Sequence, residues 1–207
     1  MPFAYLILGL LLWQAPADLS ATKHADAVAA EIAPAVSAQL ASGGIKASVR
    51  ANTLTFWWVK QLAMKSTPAA WIDMGEGTLV GAVRIDKDFR DVRGRVVKAG
   101  VYTLRYGIQP ANGDHLGVSP YRDFLLLSPA SQDSDPAPQK HDSLVDLSKQ
   151  TIGGSHPAVW SIDPPVATDP VLTVLTTDLG HKALVMEVAV AGGTLRFGLV
   201  LVGKIEA

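Results

Sequence analysis

The chain has 207 residues, 48% of them apolar, with 18 basic and 19 acidic side chains and a formal charge of −1. That combination calls for a packed domain, argues against general disorder, and leaves no electrostatic footprint for nucleic acid. Cysteine is absent from the sequence, which excludes thiol nucleophiles, disulfides and every cysteine-held zinc or iron–sulfur site.

The first feature in chain order is an apolar run from Pro2 to Trp13, followed by Ala15-Pro16-Ala17 with small residues at the −3 and −1 positions of an A-x-A cleavage site. Residues 1–17 are therefore read as an export signal, despite the lack of Lys or Arg ahead of the run. The run is shorter than the roughly 20 residues a membrane-crossing helix needs. No later segment is long and apolar enough, so no membrane span is expected after cleavage. The expected location is periplasmic or extracellular.

Residues 18–44 read as a helical segment. Val28, Ile32, Val36 and Leu40 recur every four residues on an Ala-rich background, Pro34 kinks or divides the run, and Gly43-Gly44 is a natural stop. From Ile45 the period changes to two, and residues 45–207 read as a β-sandwich domain. Leu54, Phe56 and Trp58 alternate with Thr53, Thr55 and Trp57. Trp57 and Trp58 must point to opposite faces of a strand. Either both faces are covered, with the N-terminal segment as one cover, or one indole is a surface contact; the first is preferred.

Leu79, Val83 and Ile85 share a face with Gly81, and in "VYTLRYGI" Tyr102, Leu104, Tyr106 and Ile108 face away from Thr103 and Arg105. Further strands are expected at 124–127, 159–162 and 172–176. "DSLVDLSKQTI" reads as a short helix capped by Asp142 or Ser143, and "SQDSDPAPQKHD" as an exposed loop. Leu184, Met186, Val188 and Val190 run into a Gly192-Gly193 turn, with Leu195, Phe197, Leu199 and Leu201 running out of it. Many short strands without βαβ alternation predict a mainly β fold, an antiparallel β-sandwich with an N-terminal helical segment.

Chemistry concentrates in "GVYTLRYGIQPANGDHLGVSPYRDFLLLSP", where Asp114, His115, Tyr121, Arg122 and Asp123 lie on a Gly/Pro-rich connection between two strands. With His156 they form the candidate ligand-binding set. His115, His156 and His181 each follow turn-rich sequence ("NGDHLG", "GGSHPA", "DLGHKA") and are the candidate ligands for a divalent metal. None has the close spacing of H-x-H or H-E-x-x-H, and no cofactor is predicted. Ser119, Ser155, His115, His156 and Asp123 supply the residue types of a serine hydrolase, yet no G-x-S-x-G elbow is present. Asp86, Asp88 and Asp91 have a spacing that suits calcium, but Lys87 and Arg90 among them favour a solvated loop. Trp57, Trp58, Trp71, Tyr102, Tyr106, Tyr121 and Trp160 offer an aromatic platform for sugars or extended peptides.

The segments "TLTFWWVKQL", "LVGAVRI", "GVYTLRYGIQPANGDHLGVSPYRDFLLLSP", "LSKQTIGGSHPAVWSIDPP" and "LRFGLVLVGK" together resemble a family of uncharacterised exported bacterial proteins. The resemblance implies export and carries no site residues. "RGRVVKAGVYTLRY" is also similar to the G-x-Y-x-L edge element of secreted prealbumin-like β-sandwich modules, which bears on fold alone. The expected protein is a noncatalytic binding or accessory module for a small ligand, a glycan or an envelope protein. The alternatives are a metal-dependent or serine hydrolase using the loop histidines, and a structural component of the cell envelope.

Overall fold

Ten strands join edge to edge in one antiparallel sheet in the computed structural model, which describes residues 18–65, 71–110, 121–164 and 169–203. They are β1 (Leu19–His24), β2 (Gly44–Val49), β3 (Asn52–Trp58), β4 (Leu79–Ile85), β7 (Gly100–Ile108), β8 (Asp123–Pro129), β9 (Val159–Asp163), β10 (Val174–Thr176), β11 (Lys182–Val190) and β12 (Gly193–Val202). Their order is β1-β2-β3-β4-β7-β8-β9-β12-β11-β10. A small hairpin, β5 (Phe89–Arg90) and β6 (Val96–Val97), stands apart from the sheet ladder.

The expected mainly β, antiparallel architecture is present, but not as two separate layers. β9 pairs with β8 on one side, Leu125 opposite Trp160, and with β12 on the other, Leu199 opposite Ile162. The ladder is thereby continuous, and its far ends approach where β1 comes against β11, giving a nearly closed barrel. Curling hides the apolar face of every strand on one inside surface, which is what strict alternation demands.

The inside is a chain of registered apolar pairs. Ile45 opposes Phe56, Phe56 opposes Val83, and Val83 opposes Tyr102. Leu104 opposes Leu127, Tyr106 opposes Leu125, and Phe197 opposes Met186. Phe56 stacks on Trp58 with centroids 5.4 Å apart, and Phe197 meets Trp58 edge-on at 5.4 Å. Trp57, Trp58, Tyr102, Tyr106 and Trp160 are all buried, so these aromatics pack the protein itself and do not form an exposed platform. Gly81 has a specific task here: a Cβ on it would lie 2.7 Å from the Trp58 ring and 2.5 Å from the Trp57 carbonyl oxygen.

The N-terminal helical segment is not present. Residues 18–44 hold β1 and a single four-residue helix, α1 (Pro34–Ser37); the rest is extended or turning chain. Ile32, Val36 and Leu40 are buried as their spacing suggests, but a succession of turns places them, with Leu40 N–H donating to the Ser37 carbonyl and Ala41 N–H to that of Trp58. β1 instead pairs along β2, Leu19 opposite Val49 and His24 opposite Gly44, which takes residues 19–24 out of any helix. Pro34, with no N–H to give to a preceding turn, starts α1 instead of continuing a longer helix. The segment still serves as the second cover of β3. Trp57 lies beneath it, its Nε1 donating to the Asp26 carbonyl at 3.2 Å and its ring edge-on to His24 at 5.7 Å. The export signal read over residues 1–17 lies outside the described residues.

α2 (His141–Ile152) begins earlier than the sequence suggests, with Lys140 at its N-cap and no side-chain cap bond; Gly153, left-handed at φ 62°, ends it. The helix lies on the outer face of β8. Ser148 Oγ sits in a polar knot there: its one proton is shared between the carbonyls of Leu127 at 2.8 Å and Ala158 at 3.0 Å, and the oxygen accepts from Ala158 N–H at 3.1 Å. Thr151 Oγ1 also donates to Leu127 O, at 2.8 Å. In the β11–β12 hairpin Val190 pairs with Gly193, so Gly192, at φ 78°, supplies the turn's positive angle and Gly193 is already strand.

Candidate functional site

The outer faces of β8 and β9 and one side of α2 bound a groove of about 220 Å³. Leu126 and Phe124 project outward from β8 because they alternate with the inward Leu125 and Leu127. Val159 does the same on β9, Val145 faces them from α2, and Pro157 closes one end. The polar lining comes from Arg93, Gln109, Tyr121, Asp123, His141, Lys149, Ser155, His156 and Ser161.

Four of the residues singled out in the sequence meet here. Tyr121 and Asp123, around the start of β8, line the same groove as Ser155 and His156, more than thirty positions later in the chain. Tyr121 is 39% exposed at the lip. Asp123 Oδ1 accepts the Tyr106 hydroxyl at 2.5 Å. Burial, and then the Asp123 carboxylate, push the Tyr106 phenol well above its ordinary value of 10, so it stays a donor throughout the physiological range. His156 Nδ1 lies 2.8 Å from the Pro157 carbonyl and Nε2 lies 2.9 Å from Arg93 Nη1. A guanidinium only donates, so Nε2 accepts and Nδ1 carries the proton: the neutral tautomer fits both contacts.

Arg122 has another task. Its Nε donates to the Gln109 carbonyl at 2.8 Å and its own carbonyl accepts Gln109 N–H at 2.8 Å, clamping the ends of β7 and β8. Asp114 and His115 lie outside the described residues. His181 is not at this groove; it is buried in front of β11, with its ring against Gly203. His156 and His181 thus stand on different elements, and among the described residues no three or more His, Asp or Glu side chains gather as a metal site. The "DKDFRD" carboxylates also part company. Asp88 pairs with Lys98 at 2.8 Å, while Asp91 Oδ1 accepts the backbone N–H groups of Arg93 and Arg95, each at 2.9 Å. Lys87 and Arg90 donate to the carbonyls of Ala51 and Gly94.

The groove residues not foreseen are Arg93, His141, Lys149 and the apolar floor. Lys149 is paired with Asp146 at 2.9 Å and His141 with Glu76 at 2.8 Å. Arg93 differs: burial, followed by the neighbouring charge of Arg95, lowers the pKa of its guanidinium from the ordinary arginine value, with Asp91 opposing the shift. "RDVRGR" was a legible basic run, but nothing in one dimension connects it to His156.

Comparison with protein-family models, with curated proteins and with solved structures found no match for this chain. The functional reading therefore rests on the groove. No helix among the described residues is long and apolar enough to cross a membrane.

Proposed function

We propose that this protein is an exported, noncatalytic binding or accessory module whose small ligand occupies the groove between α2 and β8–β9. The observation that carries the reading is the convergence of Tyr121, Asp123 and His156 on one pocket with an apolar floor and a polar rim. That combination is the usual form of a small-molecule site: apolar surface for affinity, a few fixed polar groups for orientation.

The occupation of the polar groups favours binding over catalysis. Both nitrogens of His156 are engaged, by Pro157 and Arg93; Asp123 holds the Tyr106 hydroxyl; His141 is tied to Glu76. A general base needs a free basic atom directed at substrate. The envelope-component reading calls for a broad exposed apolar patch, and the exposed large apolar side chains among the described residues are Tyr121 and Leu179 alone.

A thermal-shift screen of the chain against sugars, short peptides, divalent ions and small amphiphiles tests the proposal, with Val145→Trp as the filled-groove control. A stabilising ligand whose effect disappears in the control is expected. Ligands that stabilise both proteins equally would place binding elsewhere and defeat the reading. Amino-terminal sequencing of the protein recovered from a periplasmic extract should begin at Asp18.

A further inference from the structure

We propose that the groove takes a short amphiphile with a carboxylate head, the head held by Arg93 and the apolar body lying on Phe124, Leu126, Val145, Pro157 and Val159. The assignment rests on the reading of this groove as the ligand site and adds the chemical class of the ligand.

Charge pairing around the groove leaves one cation apart from the others. Lys149 and His141 each have their own carboxylate, Asp146 and Glu76. Arg93 does not: among the described residues its guanidinium bonds only to His156, a neutral acceptor in the tautomer its contacts fit. The nearest compensating carboxylate, Asp91, turns Oδ1 to the backbone amides of Arg93 and Arg95. Asp123, the carboxylate lining the groove, is held by Tyr106. A half-buried guanidinium without a carboxylate, at the rim of an apolar floor, is an incomplete ion pair that a ligand can complete.

A second cation adjoins it. Arg95 lines a neighbouring hollow that shares Ser155 and His156 with the groove, and its Nη1 is buried with no hydrogen-bond partner among the described residues. Among the described residues Arg93 and Arg95 thus stand beside His156 with Asp91 as the nearby carboxylate, and positive charge gathers at one end of the groove. The other requirement is an apolar body. The floor is aliphatic and aromatic, and the space over it, about 220 Å³ in a groove open to solvent, suits a medium-length acid.

Titration calorimetry of the full chain with octanoate, 1-octanol and inorganic phosphate tests the assignment. Octanoate is expected to bind about tenfold or more tightly than either of the others, because only it supplies both head and body. Arg93→Gln should bring octanoate to the level of octanol, Arg93→Lys should recover part of the loss, and Val145→Trp should weaken octanoate and octanol together. Equal affinity for octanoate and octanol, or octanoate binding untouched by Arg93→Gln, overturns the carboxylate assignment and leaves the groove as a ligand site. Phosphate binding that survives Val145→Trp, with no preference for octanoate, overturns it in favour of a bare anion site. If no probe binds, the assignment falls, and the thermal-shift screen with its filled-groove control decides whether the wider reading falls with it.

Discussion

Arg105 and Asp133 meet as a wholly buried ion pair, with Nε 2.7 Å from Oδ2 and Nη2 2.8 Å from Oδ1. Every guanidinium N–H has an acceptor, since Nη1 donates to the carbonyls of Gly77 and Ala137 and the second proton of Nη2 goes to the carbonyl of Asp135. Asp133 also accepts Thr103 Oγ1 at 2.5 Å and Gln139 Nε2 at 3.3 Å. The segment between β8 and α2 is exposed along most of its length, as its composition suggests, yet Asp133 turns inward and fastens it to the outer face of β7. That fastening fixes where α2 begins, and α2 is one wall of the groove.

Removing one member of such a pair strands a charge without water. Arg105→Met is expected to cost about 3–5 kcal/mol, and the double variant Arg105→Met/Asp133→Leu should recover a large part of that loss. Denaturant unfolding of the two singles and the double checks it. Additive losses would mean that the two residues act independently.

Gly81 lies opposite Trp58 in the β3–β4 ladder, and the indole ring takes the space of a side chain. Gly81→Ala should destabilise by about 1–3 kcal/mol, through overpacking against the ring and the Trp57 carbonyl. Trp58 fluorescence and a thermal melt report it. An unchanged melt would show that the ring shifts freely.

Ser148 joins α2 to the β8–β9 junction. Ser148→Ala leaves the buried Ala158 N–H without its acceptor and should cost about 1–3 kcal/mol. Hydrogen exchange at Ala158 should quicken more than at interior positions of β7. Uniform change over the whole sheet would instead mark a global effect.

Asp163 supplies a pH test. Burial raises its carboxyl above the ordinary 3.8, partly countered by the nearby His181. The folded state therefore holds this proton more tightly than the unfolded state, so the ionised form costs stability at neutral pH. The cost is relieved as pH falls through the raised value towards 3.8. Asp163→Asn should be more stable than the parent at pH near 7, with an advantage that shrinks on acidification. A difference that is constant with pH would remove the carboxyl as its cause.

By itself the sequence determined the strictly alternating strands and their inward faces, though not β1 or the β5–β6 hairpin. Period-two alternation at Leu54/Phe56/Trp58, at Tyr102/Leu104/Tyr106 and along the Leu184 to Leu201 hairpin is a local consequence of burying one face of an extended chain, and those residues are buried. It also marked Tyr121, Asp123 and His156. Alternation is equally strict in a sandwich and in a curled sheet, so the bridging position of β9 was beyond its reach. The Val28 to Leu40 stripe misled for a related reason: spacing of four records which side chains are buried, while pairing of β1 with β2 decided the backbone conformation. Long-range electrostatics were decided by tertiary structure alone. Arg105 reads as one polar residue on the outer side of a strand, Asp133 as one of several acids in a loop, and Arg93 as part of a basic run. Their partners lie 28 and 63 positions away, and a charge's need for a partner becomes specific only when folding has removed its water.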